Sequence, residues 1–432
     1  MGIIPTNTYL KEKWGHVGFQ KYLKNTGWMF IAKVASMATT FVATAYIARN
    51  LGPTSYGELS YAISFVGLFG FIAALGIDQI LYRDLIKYPE KRDEYLGTTL
   101  ILKLISALFA IIICGLTAIV FSPKDVSFLL IFIISLSFII NPFQSLSLEF
   151  QSDAKSKYPS IISLIVVLIL NIIKIIVIFY NQGVIYLAAI ILLEPILYAI
   201  GFIYFRVRFY GSLWKLSFSK STAISILKDS FPLIFATAFF AVYARIDQVM
   251  IKNMIDTQNV GLYDAAVRIS EIWYFLPNII ITSLFPAIIN AQKISSSMYY
   301  RRIKRLFFIV IITSTLTALL TSIFSKYLIL IIFGSGFIGA LTVLNIYVWS
   351  NIGATLTLLA QQLLIAENAS RIISVNIFLG MVVNVLLNLV LIPKYGISGA
   401  AIATLVSYIV PFLSLLLFKK SRKLIVGIIM AK

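Results

Sequence analysis

Sulfur, imidazole and acidic charge are scarce in this chain. Its 432 residues include one cysteine, Cys114, and one histidine, His16. A lone cysteine excludes an intrachain disulfide, and no zinc, haem or iron–sulfur ligand set can be assembled from so few donors. A Cys-His or Ser-His nucleophilic pair is equally out of reach, because His16 stands in a polar amino-terminal stretch and Cys114 in an apolar run. Charged residues make up only 12% of the chain, with 17 Asp and Glu against 36 Lys and Arg. Every outer loop is short, so no soluble catalytic domain is expected, and the chain is not expected to be an enzyme.

What it does have is apolar surface, 60% hydrophobic residues at a mean hydropathy of +0.94. Runs of about 20 such residues recur, the length a helix needs to cross a bilayer. Twelve spans are read: Trp28 to Ala48, Glu58 to Ile80, Thr98 to Phe121, Val126 to Ser147, Pro159 to Tyr180 and Val184 to Phe205. The second six are Phe231 to Ile251, Val260 to Pro286, Ile303 to Phe324, Phe337 to Ala366, Ile372 to Ile392 and Ile397 to Phe418. Pro277 and Pro286 predict a kink or unwound turn in the eighth. Leu328 to Phe333 is too short to cross and is expected at the interface. The residues before the first span show no short apolar core with a cleavage pattern, so no removable signal peptide is expected.

Basic residues set the orientation. Arg49, Lys124, Lys252, Lys326 and Lys394 fall in one set of loops, and Lys33, Lys103, Lys174, Arg245 and Arg268 fall within spans. The remaining 26 of the 36 lie in the other loops and the terminal segments. Both termini are therefore expected to be cytoplasmic. The net charge of +19 reads as this bias plus attraction to anionic headgroups. Bases confined to short loops argue against a nucleic-acid partner.

The two halves echo each other in order. Tyr56-Gly57 aligns with Val260-Gly261, Gln151 with Gln362, Ile161-Ile162-Ser163 with Ile372-Ile373-Ser374, and Asn171, Gly183 and Ala188 with Asn384, Gly396 and Ala401. Six spans per half make the repeat parallel, with a central cavity able to open to either side. The domain reading is a cytoplasmic segment 1–27, a six-helix bundle 28–205, a basic hinge linker 206–230, a second bundle 231–418 and a basic tail 419–432.

Several motifs carry a family resemblance. Ala48-Arg49-Asn50-Leu51-Gly52-Pro53 with Tyr56-Gly57 resembles the end of the first span in polysaccharide transporters of the Wzx type. Arg245-Ile246-Asp247-Gln248-Val249-Met250-Ile251, Val260-Gly261-Leu262-Tyr263 and Pro393-Lys394-Tyr395-Gly396-Ile397-Ser398-Gly399-Ala400-Ala401 resemble later signatures of that family. The likeness covers essentially the whole chain. It implies an all-α integral membrane protein with a MATE-like fold, in the superfamily of multidrug exporters and lipid II flippases. The activity it implies is flipping undecaprenyl-diphosphate-linked oligosaccharide for O-antigen or capsule biosynthesis across the bacterial inner membrane, with no cofactor. Membrane lipids and a polysaccharide polymerase with its chain-length machinery are the implied partners.

The intramembrane charges fit that substrate class. A diphosphate cannot cross hydrocarbon unaided, and a cavity lined by Lys33, Lys174, Arg245 and Arg268 would replace its water, Arg binding phosphate bidentately. Each has a plainer reading. Lys33, Lys103 and Lys174 can snorkel to headgroups, and Arg245 can pair with Asp247 or an outer headgroup. Asp264, Arg268 and Glu271, at i, i+4 and i+7 on one helical face, can form a structural triad. Arg268 lies eight residues beyond Val260, roughly 12 Å along a helix. Glu194, before Pro195, is placed for H⁺ or Na⁺ coupling, or for a hydrogen bond to a neighbouring helix. Asp78 and Glu149, at inner span ends, are expected to be solvated. Trp273-Tyr274-Phe275 can stack on sugars or face lipid. The rival functions are a multidrug exporter, which should prefer an acidic cavity, a polysaccharide polymerase, which needs a large outer loop, and a non-transporting scaffold.

Overall fold

In hydrocarbon every backbone N–H and C=O must find its partner inside the chain, so long runs of Leu, Ile, Val and Phe form helices. The computed structural model describes residues 17–121, 126–292, 294–367 and 369–430, and all regular structure among them is helical. His16, Lys124 and most of segment 1–27 lie outside the described residues. The helix Arg92–Phe121 shows the packing rule. Ile105, Leu108, Ile112, Leu116 and Ile119 are exposed along one face, while Thr99, Ser106, Ala107, Ala110, Cys114 and Ala118 are buried on the other. Large apolar side chains face outward and small ones inward, as in a helix solvated by lipid.

Nine helices among the described residues are long and apolar enough to span a bilayer, and the pair Ser335–Tyr347 and Ser350–Ala366, bent by 47°, makes a tenth. Two of the nine each contain two spans, which gives the twelve expected. Val17–Ala74 is broken at Gly52, whose φ of 73° lies in the left-handed region that suits glycine. Ser370–Leu413 is broken likewise at Gly396, φ 59°. Pro53 follows the first break, where its fixed φ and missing N–H suit the start of a helix. Two of the quoted motifs, those containing Gly52-Pro53 and Gly396, thus coincide with turns between paired spans.

The eighth span is interrupted where proline predicts. Thr257–Glu271 gives way to a 3₁₀ turn, Ile272–Tyr274, and then to Phe275–Gln292. Pro277 cannot donate to the carbonyl of Trp273, which frees that turn to tighten. Leu328 to Phe333 corrects the reading above. The helix Ser296–Ile332 runs on without a break, because Ser325-Lys326-Tyr327 contains no helix breaker and the chain turns only at Gly334, φ 91°.

Packing divides the chain into two compact units, 1–50 with 65–238, and 51–64 with 239–432. In the first, the connection after the sixth span is tied down. Ser217 N donates to Asp93 O at 3.3 Å, and Ser219 N to Thr98 Oγ1 at 3.1 Å. Thr222 Oγ1 donates to Glu94. In the second, the start of the second span lies against the start of the eighth. A Cβ on Gly57 would fall 1.8 Å from Thr257 O, and one on Gly261 would fall 2.1 Å from Pro53 O. The two glycines that align in the repeat therefore meet, backbone to backbone. Gly261→Ala should destabilise the protein by roughly 1–3 kcal/mol through overpacking, seen as a lower melting temperature in detergent; an unchanged melting temperature would contradict this approach.

Candidate functional site

Three helices of the second unit converge on Asp264, a carboxylate only 3% exposed. Its Oδ2 accepts from Tyr56 OH at 2.5 Å, Ser60 Oγ at 3.1 Å and Arg268 Nε at 2.6 Å. Its Oδ1 accepts from Gln248 Nε2 at 3.3 Å. Tyr56 and Ser60 share one face of the second span by their i, i+4 spacing, as Asp264 and Arg268 do on the eighth. Arg268 spends only Nε on this pair, and its Nη1 and Nη2 make no hydrogen bond among the described residues. Its side chain is 31% exposed. The geometry is a clamped guanidinium with the outer edge of its fork unused.

Asp247 forms a second centre. Tyr263 OH and Thr404 Oγ1 each donate to it at 2.6 Å and Asn388 Nδ2 at 2.7 Å. Asn388 also donates to Asn384 Oδ1 at 3.2 Å. These donors are neutral, so Asp247 does not take Arg245 as its partner. Arg245 is exposed. Glu271 is exposed too and in no ion pair among the described residues, so the expected triad closes only as the Asp264–Arg268 pair. Glu271 does lie within electrostatic reach of Arg245 and Arg268.

In the first unit Lys33 is exposed, and Lys174 and Glu194 are half-buried. Lys103 corrects its reading: instead of snorkelling it is buried, 2.5 Å from Asp78 Oδ1 and 2.8 Å from Ser145 Oγ. Glu149 corrects another. It is fully buried, with Arg206 Nε at 3.3 Å and Arg92 Nε at 3.9 Å. Arg206, also fully buried, pairs with Asp93 and donates to the Gly211 and Ser212 carbonyls. Just beyond, Asp153 accepts from Arg92 at 2.6 Å and Tyr210 OH at 2.8 Å. Burial pushes its carboxyl up, but the Tyr210 hydroxyl and the Arg92 guanidinium outweigh it and hold it below the usual carboxylate range. The sequence signal for this cluster was acids at span ends where the charge bias calls for bases. Trp273 and Tyr274 fall on the 3₁₀ turn, both half-buried.

Residues 22–292 match the family model described as "Polysaccharide biosynthesis protein". The chain belongs to that family. The matched stretch contains Asp247, Asp264 and Arg268. A curated relative, the probable flippase AglR of Haloferax volcanii, is 28% identical over 169 residues, covering 38% of this chain and 35% of that protein. The match thus spans about a third of that relative's length. Two solved structures share the fold at a TM-score of 0.72 each. One is an inward-facing multidrug resistance MATE family transporter of the MOP superfamily, at 13% identity over 92% of this chain and 96% of that one. The other is the lipid II flippase MurJ in an inward closed conformation, at 17% identity over 93% of this chain and 90% of that one.

Each buried donor left without its acceptor costs roughly 1–3 kcal/mol. Asp264 gathers donors from three helices, whereas Arg268 gives up one bond. Asp264→Ala should therefore lower the melting temperature well beyond Arg268→Gln in purified protein. Equal losses would contradict Asp264 as the organising acid.

Proposed function

We propose that this protein is a flippase that moves polyprenyl-diphosphate-linked oligosaccharide, of the undecaprenyl type, from the cytoplasmic to the outer leaflet of a bacterial inner membrane by alternating access. The reading includes O-antigen or capsule repeat units as cargo, both termini in the cytoplasm, and a polysaccharide polymerase as the next step. The observation that carries it is Arg268. Asp264 holds Nε at 2.6 Å and fixes the plane of the guanidinium, while the two terminal nitrogens stay available. A diphosphate presents the paired oxygens such a fork binds bidentately. Arg245, exposed on the seventh span of the same unit, supplies further positive charge, and Lys33 and Lys174 are candidate anion-binding bases of the first unit. Family membership and the MurJ-like fold support the same substrate class.

The transport cycle needs an energy source. Asp247 and Glu194 are the coupling candidates: the Tyr263 and Thr404 hydroxyls beside Asp247 have oxygens that can turn to Na⁺, and Glu194 beside Pro195 suits H⁺. Glu271 is assigned to tune the affinity of Arg245 and Arg268 for the anion. A multidrug exporter is the second reading, supported by the equal fold likeness to a MATE transporter. Four intramembrane bases set against it, because a cationic drug would meet its own sign of charge.

Reconstituted protein should translocate a fluorescent polyprenyl-diphosphate glycan, and Arg268→Ala and Arg245→Ala should each reduce the rate by about tenfold or more, the scale of a lost charge-assisted bond. Full rates in both inserted variants would remove these residues from the mechanism. Transport of a cationic dye but no glycan would favour the exporter.

A further inference from the structure

The basic tail folds into a helix, Lys419–Met430, that is seated on the second unit. Ile428 is buried in a cluster with Ile281, Ile288, Tyr299 and Ile303, and Gly427 lies so near Tyr300 that a Cβ would come within 2.7 Å of its ring. Ser421 Oγ donates to Leu415 O at 2.6 Å. Lys420 Nζ donates to the Glu367 carbonyl, and the Glu367 carboxylate accepts from Gln292 Nε2 and Tyr299 OH, both at 3.1 Å. The tail helix thus sits across the converging ends of the eighth, ninth and tenth spans.

Exposed bases stand on the tail helix and at the start of the helix it packs against. Lys419 and Arg422 are exposed on the tail helix, and Arg301 and Arg305 are exposed at the start of Ser296–Ile332 beside it. Glu367, the one acid in the chain after Glu271, is already engaged. An apolar belt borders these bases: Phe308, Ile311 and Ile312 are exposed beyond Arg305, as are Leu416 and Leu417 just before Lys419. Bases flanking exposed apolar side chains mark the boundary between headgroups and hydrocarbon. Charge complementarity then selects an anionic lipid, since each base near such a surface is attracted to it and the attraction fades within a Debye length.

We propose that Arg301, Arg305, Lys419 and Arg422 form a docking surface for anionic phospholipid headgroups, and that this docking holds the tail helix across the ends of the three spans. The surface is separate from the residues assigned to the transported lipid, and its test does not involve transport.

The full-length protein is placed in nanodiscs of phosphatidylcholine alone or mixed with phosphatidylglycerol, and hydrogen exchange is followed over residues 419–430. Phosphatidylglycerol should slow exchange by about tenfold at low salt, and the effect should vanish at high salt. Arg301→Gln, Arg305→Gln, Lys419→Gln and Arg422→Gln together should abolish the lipid response while leaving melting in phosphatidylcholine unchanged. Ile428→Ala, which loosens the apolar seat, should speed exchange in both lipids and keep the response. Equal exchange in the two lipids, or an undiminished response in the fourfold variant, would overturn the proposal, because packing alone would then hold the helix.

Discussion

A carboxylate inside a bilayer must be compensated by its own protein, and this requirement organises the second unit. Burying an ionised acid costs several kcal/mol unless hydrogen bonds and opposite charge replace its water. Asp264 meets the condition with donors from the second, seventh and eighth spans, and Asp247 meets it with Tyr263, Asn388 and Thr404. Each donor fixes the helix that bears it. Asp264 thereby accounts for residues 51–64 packing with the second unit, because Tyr56 and Ser60 are bound to an acid that cannot be left without them. Gly57 and Gly261 permit the close approach those short bonds need.

The same constraint separates structural charge from available charge. Asp264 is consumed by the fold, as is Lys103 by Asp78 and Glu149 by its two arginines. Arg268 stands between the classes, anchored through Nε with its remaining nitrogens unused. A base held this way has lost side-chain freedom before any ligand arrives, so less entropy is surrendered on binding. The helix breaks fall near these groups. The 3₁₀ turn Ile272–Tyr274 directly follows Glu271, and Asn351 Nδ2, just beyond the bend in the tenth span, donates to Ser270 O at 3.1 Å. Loosened backbone beside a fixed charge gives the unit a place to bend without disturbing the acid centre.

Much of the architecture was legible because lipid enforces a simple code. Span length, the Gly52-Pro53 and Gly396 turns and the Pro277 interruption each follow from one local property of the chain. The glycine echo at positions 57 and 261 pointed to equivalent sites, and the structure shows that they touch. Long-range polar partners were not legible. Nothing near Asp264 in sequence names Tyr56 or Ser60, and the neutral donors around Asp247 lack the charge pattern that draws attention. Proximity in sequence suggested Arg245 for Asp247, yet hydroxyls and an amide fill that role. Glu149 looked solvated because span ends usually are; Arg92 and Arg206 come from distant spans to enclose it. The seat of the tail helix depends on Glu367 and Tyr299, which no periodicity in the tail reveals.

The most direct test is a double-mutant cycle between Tyr56 and Asp264, using Tyr56→Phe, Asp264→Asn and the pair, with stability read from unfolding in detergent. Two groups sharing one buried hydrogen-bond network should couple by about 1–3 kcal/mol, so that the double variant loses less than the sum of the singles. Additivity within about 0.3–0.5 kcal/mol would show that the two side chains act independently. Asp264 could not then be what holds the second span to this unit.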